Sequence, residues 1–360
     1  MASPMLTTKL YIPRGRPGAL YRPRLMQLLD EGLFARLTLV SAPAGFGKTT
    51  LLAQWLHRTA EGGAPRPLVA WVSLDVRDSD PVTFWSYVLT ALQSAMPHVG
   101  GPELALLQAA DRPPMQQMLI SVLNDLAADF TDVVLVLDDY HVIESREIDD
   151  AMAFLLENAP PGLHVVLTSR SDPAIPLARL RARRELIEVR VTDLRFTPDE
   201  AATYLTHTMS LRLTATEVRM LEQRTEGWIA ALQLAALSMA KHQDVTGFVA
   251  SFTGDDRYIV DYLVEEVLHS QPAHTEAFLL QTSILDRLSG ALCDEVTRQV
   301  ESTATLQALD RANMFLVPLD DQRRWYRYHH LFADVDRASA APPVSCGSRV
   351  RSAGFKPATS

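Results

Sequence analysis

Leu37-Thr38-Leu39-Val40-Ser41, Leu68 to Leu74 (LVAWVSL), Val133 to Leu137 (VVLVL), His164 to Thr168 (HVVLT) and Leu186 to Val191 (LIEVRV) are short apolar runs rich in branched residues. Runs of this length and composition predict strands. Between them the apolar period lengthens. After the first run Leu51, Leu52, Trp55 and Leu56 have helical spacing, and after the second Asp80-Pro81 opens a helix with Trp85, Val88, Leu89, Leu92 and Met96 on one face. Continuous apolar strands alternating with helices predict a parallel sheet covered on both faces, an α/β domain over about residues 1–195.

Beyond Arg195 the strand pattern gives way to helices. Thr197-Pro198-Asp199-Glu200 reads as a capping box with proline at the first helical position, and Thr214-Ala215-Thr216-Glu217 repeats the box. Amphipathic stretches over roughly 227–240, 256–269 and 303–312 follow. A helical domain is expected at about 196–270. From 271 to 337 short helices lead into Phe315 to Leu319, a polar turn and Trp325 to Tyr328, the pattern of a winged-helix-like hairpin. Residues 338–360 mix Pro, Ser and Gly without an apolar period and read as a disordered tail.

Composition narrows the function. At 360 residues the chain is long enough for two or three cores, and 47% hydrophobic against 21% charged residues fits globular protein. A formal charge of −9 argues against a chain whose main task is gripping nucleic-acid phosphates. Two cysteines, Cys293 and Cys346, are too few for a disulfide framework and fit a reducing compartment. The start of the chain lacks the pattern of an export signal, and the apolar stretch Gly227 to Ala240 is shorter than the roughly 20 residues that span a bilayer. A cytoplasmic protein without membrane contact is expected.

The chemistry lies at the strand ends. Ala42-Pro43-Ala44-Gly45-Phe46-Gly47-Lys48-Thr49 matches a P-loop, with Ala in place of the first Gly, between a predicted strand and a predicted helix. In such a loop the glycines let backbone N–H groups turn toward phosphates, and the helix N-terminus adds partial positive charge. Lys48 would reach the β- and γ-phosphates, Thr49 would hold Mg²⁺ and Thr50 would bond the α-phosphate. The cofactor expected is ATP or ADP with Mg²⁺, on a P-loop NTPase fold.

Asp138-Asp139 ends the VVLVL run, where the metal-binding carboxylate of a P-loop protein is expected. Asp138 would hold Mg²⁺. For Asp139 two readings stand: orienting an attacking water, or capping the next turn. Arg170 follows the next strand and either senses the γ-phosphate or makes a surface ion pair.

These motifs and their flanks resemble the MalT-type signal-transduction ATPases of the STAND class, large LuxR-type transcriptional regulators. The resemblance begins at TKLYIP and YRPRL, runs through VSAPAGFGKTTLLAQW, WVSLD, LVLDDYHVI, LTSR, LRFTPDEA and TEGWIAALQLAALS, and ends at YRYHHLF, about residues 6–335. It implies an α/β module, a helical domain and a winged-helix domain that close over ADP at rest. It further implies that Arg22 and Pro23 lie near the adenine, that Gly227-Trp228 belong to a nucleotide-facing motif, and that His329 contacts the ADP β-phosphate. Read from the residues alone, His329 and His330 are equally a locally bonded pair at a helix start. Trp55, Trp71, Trp85 and Trp228 read as packed core aromatics.

Members of the family continue into inducer-sensing repeats and a DNA-binding helix-turn-helix, and this sequence shows neither. The expectation is therefore an ATP/ADP-binding signalling switch with slow Mg²⁺-dependent ATPase activity, without direct DNA binding and with self-association in the ATP form. A steadily turning-over P-loop ATPase and an inactive truncated fragment are the alternatives.

Overall fold

A computed structural model of the chain describes residues 5–15, 18–59, 67–109, 112–129, 131–240, 244–252, 257–268, 271–320 and 322–332. The expected disordered tail at 338–360 lies outside the described residues. Five strands, β1 (Leu37–Ser41), β2 (Leu68–Ser73), β3 (Val133–Asp138), β4 (Leu163–Ser169) and β5 (Leu186–Arg190), form one sheet in the order β2-β3-β4-β1-β5. Every neighbouring pair is parallel. The predicted α/β architecture is present, with strand ends within one or two residues of those read from the pattern.

The runs of β1, β3 and β4 are continuously apolar because both faces of these strands are covered, and every residue in the three is buried. Alternate residues go to opposite layers. Val40, Trp71, Val134, Val136 and Val166 pack into one core, while Leu39, Val72, Val133, Leu135, Leu137, Val165 and Leu167 pack into the other. The chain leaves β1 for the far edge at β2, returns through β3 and β4, and then crosses to β5 on the other side of β1. The carboxyl ends of β1, β3 and β4 therefore open on a common edge, with Ser41 level with Ser169.

Both predicted capping boxes are made. Thr197 and Glu200 bond each other's backbone N–H at one helix start, and Thr214 and Glu217 do so at the next. Helix Ile229–Met239 is apolar nearly all round and has buried residues on several sides. The hairpin is present in shorter form, β6 (Leu316–Pro318) antiparallel to β7 (Tyr326–Tyr328). One core runs without a break from Val40 and Trp55 through Leu232 and Leu279 to Phe315 and Phe332. The α/β layer, the helices and the hairpin region are thus packed on each other.

Arg22 and Arg24 tie the connection between them. Both donate to the Arg195 carbonyl, at 2.7 and 2.8 Å, and both pair with the Glu200 carboxylate. No described helix is long and apolar enough to cross a membrane.

Candidate functional site

The loop after β1 owes its shape to two glycines. Gly45 and Gly47 have φ of 77° and 76°, a backbone conformation that side chains disfavour. A Cβ on Gly45 would also lie 2.6 Å from the Ala230 Cβ and 2.8 Å from the Trp228 Nε1. Ala42 is not among the residues of positive φ, so its methyl is accommodated where the P-loop pattern has glycine. Lys48 opens helix Lys48–Thr59, and its ammonium donates to the carbonyls of Ala42 at 2.8 Å and Pro43 at 3.0 Å. Burial pushes that ammonium down to about 8.

Thr49 and Asp138 are side by side, the hydroxyl lying 3.0 Å from each carboxylate oxygen. Thr168 on β4 supplies what the sequence reading missed. Its hydroxyl donates to Asp138 Oδ1 at 2.6 Å and accepts the Asp139 N–H at 2.7 Å, joining β3 to β4 at the working edge. Burial, with Asp139 beside it, pushes the Asp138 carboxyl up to about 6. A buried carboxylate whose described side-chain partners are two hydroxyls suits a divalent cation. Among the described residues no three His, Cys, Asp or Glu converge as a metal cage, and a Mg²⁺ held by one carboxylate, one hydroxyl and phosphate oxygens needs none.

Asp139 has φ of 60° and makes no side-chain cap bond to the turn it precedes, so the capping alternative finds no support. Its side chain faces a cavity of ≈ 900 Å³ that also takes in Gly45, Gly47, Lys48, Thr49, Thr50 and Arg170. The opposite walls are Gly18 to Leu20 with Arg22, and Phe196, Tyr204, Met209, Ile229, Gln233 and Tyr262 of the helical half. Arg170 lines the cavity and pairs with Glu266 at 3.1 Å. Ala42, Pro43, Phe46, Asp138, Pro23 and His329 are not in the cavity wall, whereas Ala44 is.

The family described as MalT winged helix domain matches residues 264–343. The HTH-type transcriptional regulator MalT of Vibrio cholerae is 33% identical over 331 residues, 91% of this chain and 36% of that protein. Along most of its length the chain is thus similar to MalT-type regulators. It spans about a third of the length of these relatives. A second relative, the serine/threonine-protein kinase PknK of Mycobacterium tuberculosis, is 33% identical over 90% of this chain and 29% of its own length. The Walker-type ATPase PABY2304 of Pyrococcus abyssi has the same fold, with a TM-score of 0.59 at 16% identity over 90% of this chain and 98% of that one.

The MalT-type motifs occupy defined places. Trp228 of TEGWIAAL is fully buried and donates its Nε1–H to the Ala44 carbonyl at 3.1 Å, and the Ala230 N–H donates to the Gly45 carbonyl at 3.1 Å. All four tryptophans read as core are buried. Gly227 has φ of 70°, and a Cβ there would lie 2.5 Å from the Phe196 carbonyl oxygen. In the winged-helix region Asn313 donates to Ser41 Oγ at 3.1 Å and to the Arg170 carbonyl at 2.9 Å, a bridge to the strand ends that no sequence pattern announced.

His329 lies behind Trp228, ring centroids 6.0 Å apart, with Nε2 3.0 Å from the Thr225 carbonyl. Its position is in the junction between helices and hairpin. Beside it Glu226 accepts from Arg327 at 2.7 and 3.0 Å and pairs with Arg195. Although burial opposes ionisation, Arg327 and the neighbouring charges hold the Glu226 carboxyl down at about 2.

Burial pushes the His329 imidazole down from 6.5 to about 4. In the unfolded chain the ring takes a proton near its ordinary value, whereas the folded site resists until about pH 4. Stability is therefore lost as pH falls through that window, by about 3 kcal/mol when fully developed. Urea unfolding of wild type and His329→Gln at pH 7 and pH 4.5 tests this, and the wild type should lose more. Parallel losses in the two proteins would refute it.

Proposed function

We propose that this MalT-type ATPase core is an adenine-nucleotide switch, closed with ADP and opened by ATP, with hydrolysis as the reset. The carrying observation is that the cavity is shared. The P-loop forms one wall, the helical half forms another, and the two P-loop carbonyls are bonded to Trp228 and Ala230. A ligand seated there touches several segments and can favour one arrangement by its differential contacts.

In this reading the backbone around Gly45 and Gly47 and the Lys48 ammonium bind the phosphates. Thr49 and Asp138 would hold Mg²⁺, which supplies charge neutralisation when bound. Thr168 keeps Asp138 oriented, and Asp139, exposed to the cavity, would position a water for hydrolysis. The Gly18–Leu20 segment, Phe196 and Met209 offer an apolar slot of the kind that suits a purine. Arg22 supports this end while holding the Arg195 carbonyl. His329 acts at the junction, through Thr225 and Trp228. We place the function in the cytoplasm, with self-association in the ATP form and no direct DNA contact by this region.

Asp138→Asn is expected to weaken Mg²⁺-dependent binding, and Asp139→Asn to leave binding intact while slowing phosphate release. Calorimetry and a phosphate-release assay separate the two, and equal losses of affinity would refute the division of roles. Fast unstimulated turnover by the wild type would instead favour a steadily cycling ATPase.

A further inference from the structure

The hydrogen-bond partners described for Arg170, Glu266 and Asn313, both lie within the winged-helix match. Asn313 fixes the Arg170 backbone carbonyl, and the Arg170 guanidinium donates to the Glu266 carbonyl at 2.9 Å and to the Glu266 carboxylate at 3.1 Å. Glu266 lies in the turn of helix Val264–Leu268, at the start of the winged-helix match. It lines the same cavity as Lys48, Asp139 and Arg170. An anionic side chain from the far half of the molecule thus reaches into the phosphate end of the site and occupies the arginine there.

We infer that Glu266 is a built-in competitor of the terminal phosphate: it keeps Arg170 when ADP is bound and loses it to the γ-phosphate of ATP. This rests on the nucleotide reading given above. The Glu266 carboxylate takes an Nη2–H and the Glu266 carbonyl an Nη1–H, so a phosphoryl group can take those two donors of the fork only by displacing Glu266. A phosphoryl group near Lys48 also repels the Glu266 carboxylate, which is carried on the Val264–Leu268 segment. ADP brings no third phosphate and leaves the pair in place.

The pair is half exposed, with side-chain exposures of 34% and 48%, so as a salt bridge it contributes little. Its effect comes from exclusivity. Each nucleotide is bound with the pair either kept or broken, and the difference between the two costs appears as discrimination between ATP and ADP. Because Glu266 belongs to the winged-helix region, the same exchange transmits the presence of the third phosphate to that region.

The test is calorimetric titration of Mg²⁺ with ADP, and with a non-hydrolysable ATP analogue, into wild type, Glu266→Gln, Arg170→Ala and the double variant. Glu266→Gln should bind the ATP analogue about five- to tenfold more tightly while ADP affinity changes less than about twofold. In the Arg170→Ala background the Glu266 substitution should have no such effect. Amide hydrogen exchange across 257–266 should rise in wild type with the ATP analogue and not with ADP. Equal changes for both nucleotides, an unchanged ratio, or persistence of the effect without Arg170 would overturn the inference while leaving the nucleotide site standing. A wild type that binds neither nucleotide overturns both.

Discussion

Lys48→Ala abolishes the thermal shift that saturating Mg²⁺–nucleotide gives the intact chain. A ligand at about 100 times its dissociation constant adds roughly 2.7 kcal/mol to the native state, which for a protein of this size is a rise of roughly 4 °C in Tm. The ammonium is the charged donor buried at the loop, and without it the loop itself offers the phosphates only backbone N–H groups and hydroxyls. The substitution also frees the carbonyls of Ala42 and Pro43, so the unliganded variant melts lower as well. The quantity to compare is the shift, measured by scanning calorimetry with and without ADP. A variant that keeps the wild-type shift would remove the central assignment.

Trp228→Ala is expected to cost about 3–5 kcal/mol, the range for truncating a fully buried large aromatic. Its ring meets Phe46, Tyr262, Phe315 and His329, which come from four separate segments, so the loss reaches every layer of the shared core. Trp228→Phe retains much of that packing and removes the bond to Ala44, costing roughly 1 kcal/mol for the hydrogen bond plus a smaller cavity term. Because Ala44 is part of the cavity wall, both variants should also weaken nucleotide binding. Urea titrations read the first effect, and a loss under about 1 kcal/mol for the alanine variant would contradict the packing argument.

The sheet was legible because its strands are apolar on both faces and its turns carry glycine, proline and capping residues in the expected places. So was the grouping at the strand ends, where Gly45, Gly47, Lys48, Thr49 and Asp138 sit in consecutive motifs that each have a local physical reason. What the pattern could not deliver were contacts between distant segments. Thr168 lies two residues before Arg170 at an ordinary strand end, yet it is the hydroxyl that joins Asp138 to Asp139. Glu266 and Asn313 belong to no local motif, and their partners lie 96 and 143 residues away. His329 was expected at the phosphates and lies instead at the junction behind Trp228, a distinction that depends on tertiary packing alone.

β1 is the third element of the chain, yet its neighbours β4 and β5 come only near the middle of it. Five consecutive residues that end fully buried are therefore made long before the two strands that cover their edges. At about 5–20 residues per second of synthesis, the intervening stretch takes on the order of ten seconds to emerge. During that time the phosphate loop has no Ser169 carbonyl for the Ala42 N–H to bond and no Trp228 behind it. The nascent chain thus carries an unpaired, apolar strand that offers itself to any exposed edge nearby. Competence for nucleotide arrives late, when the growing chain has passed well beyond the loop that will bind it.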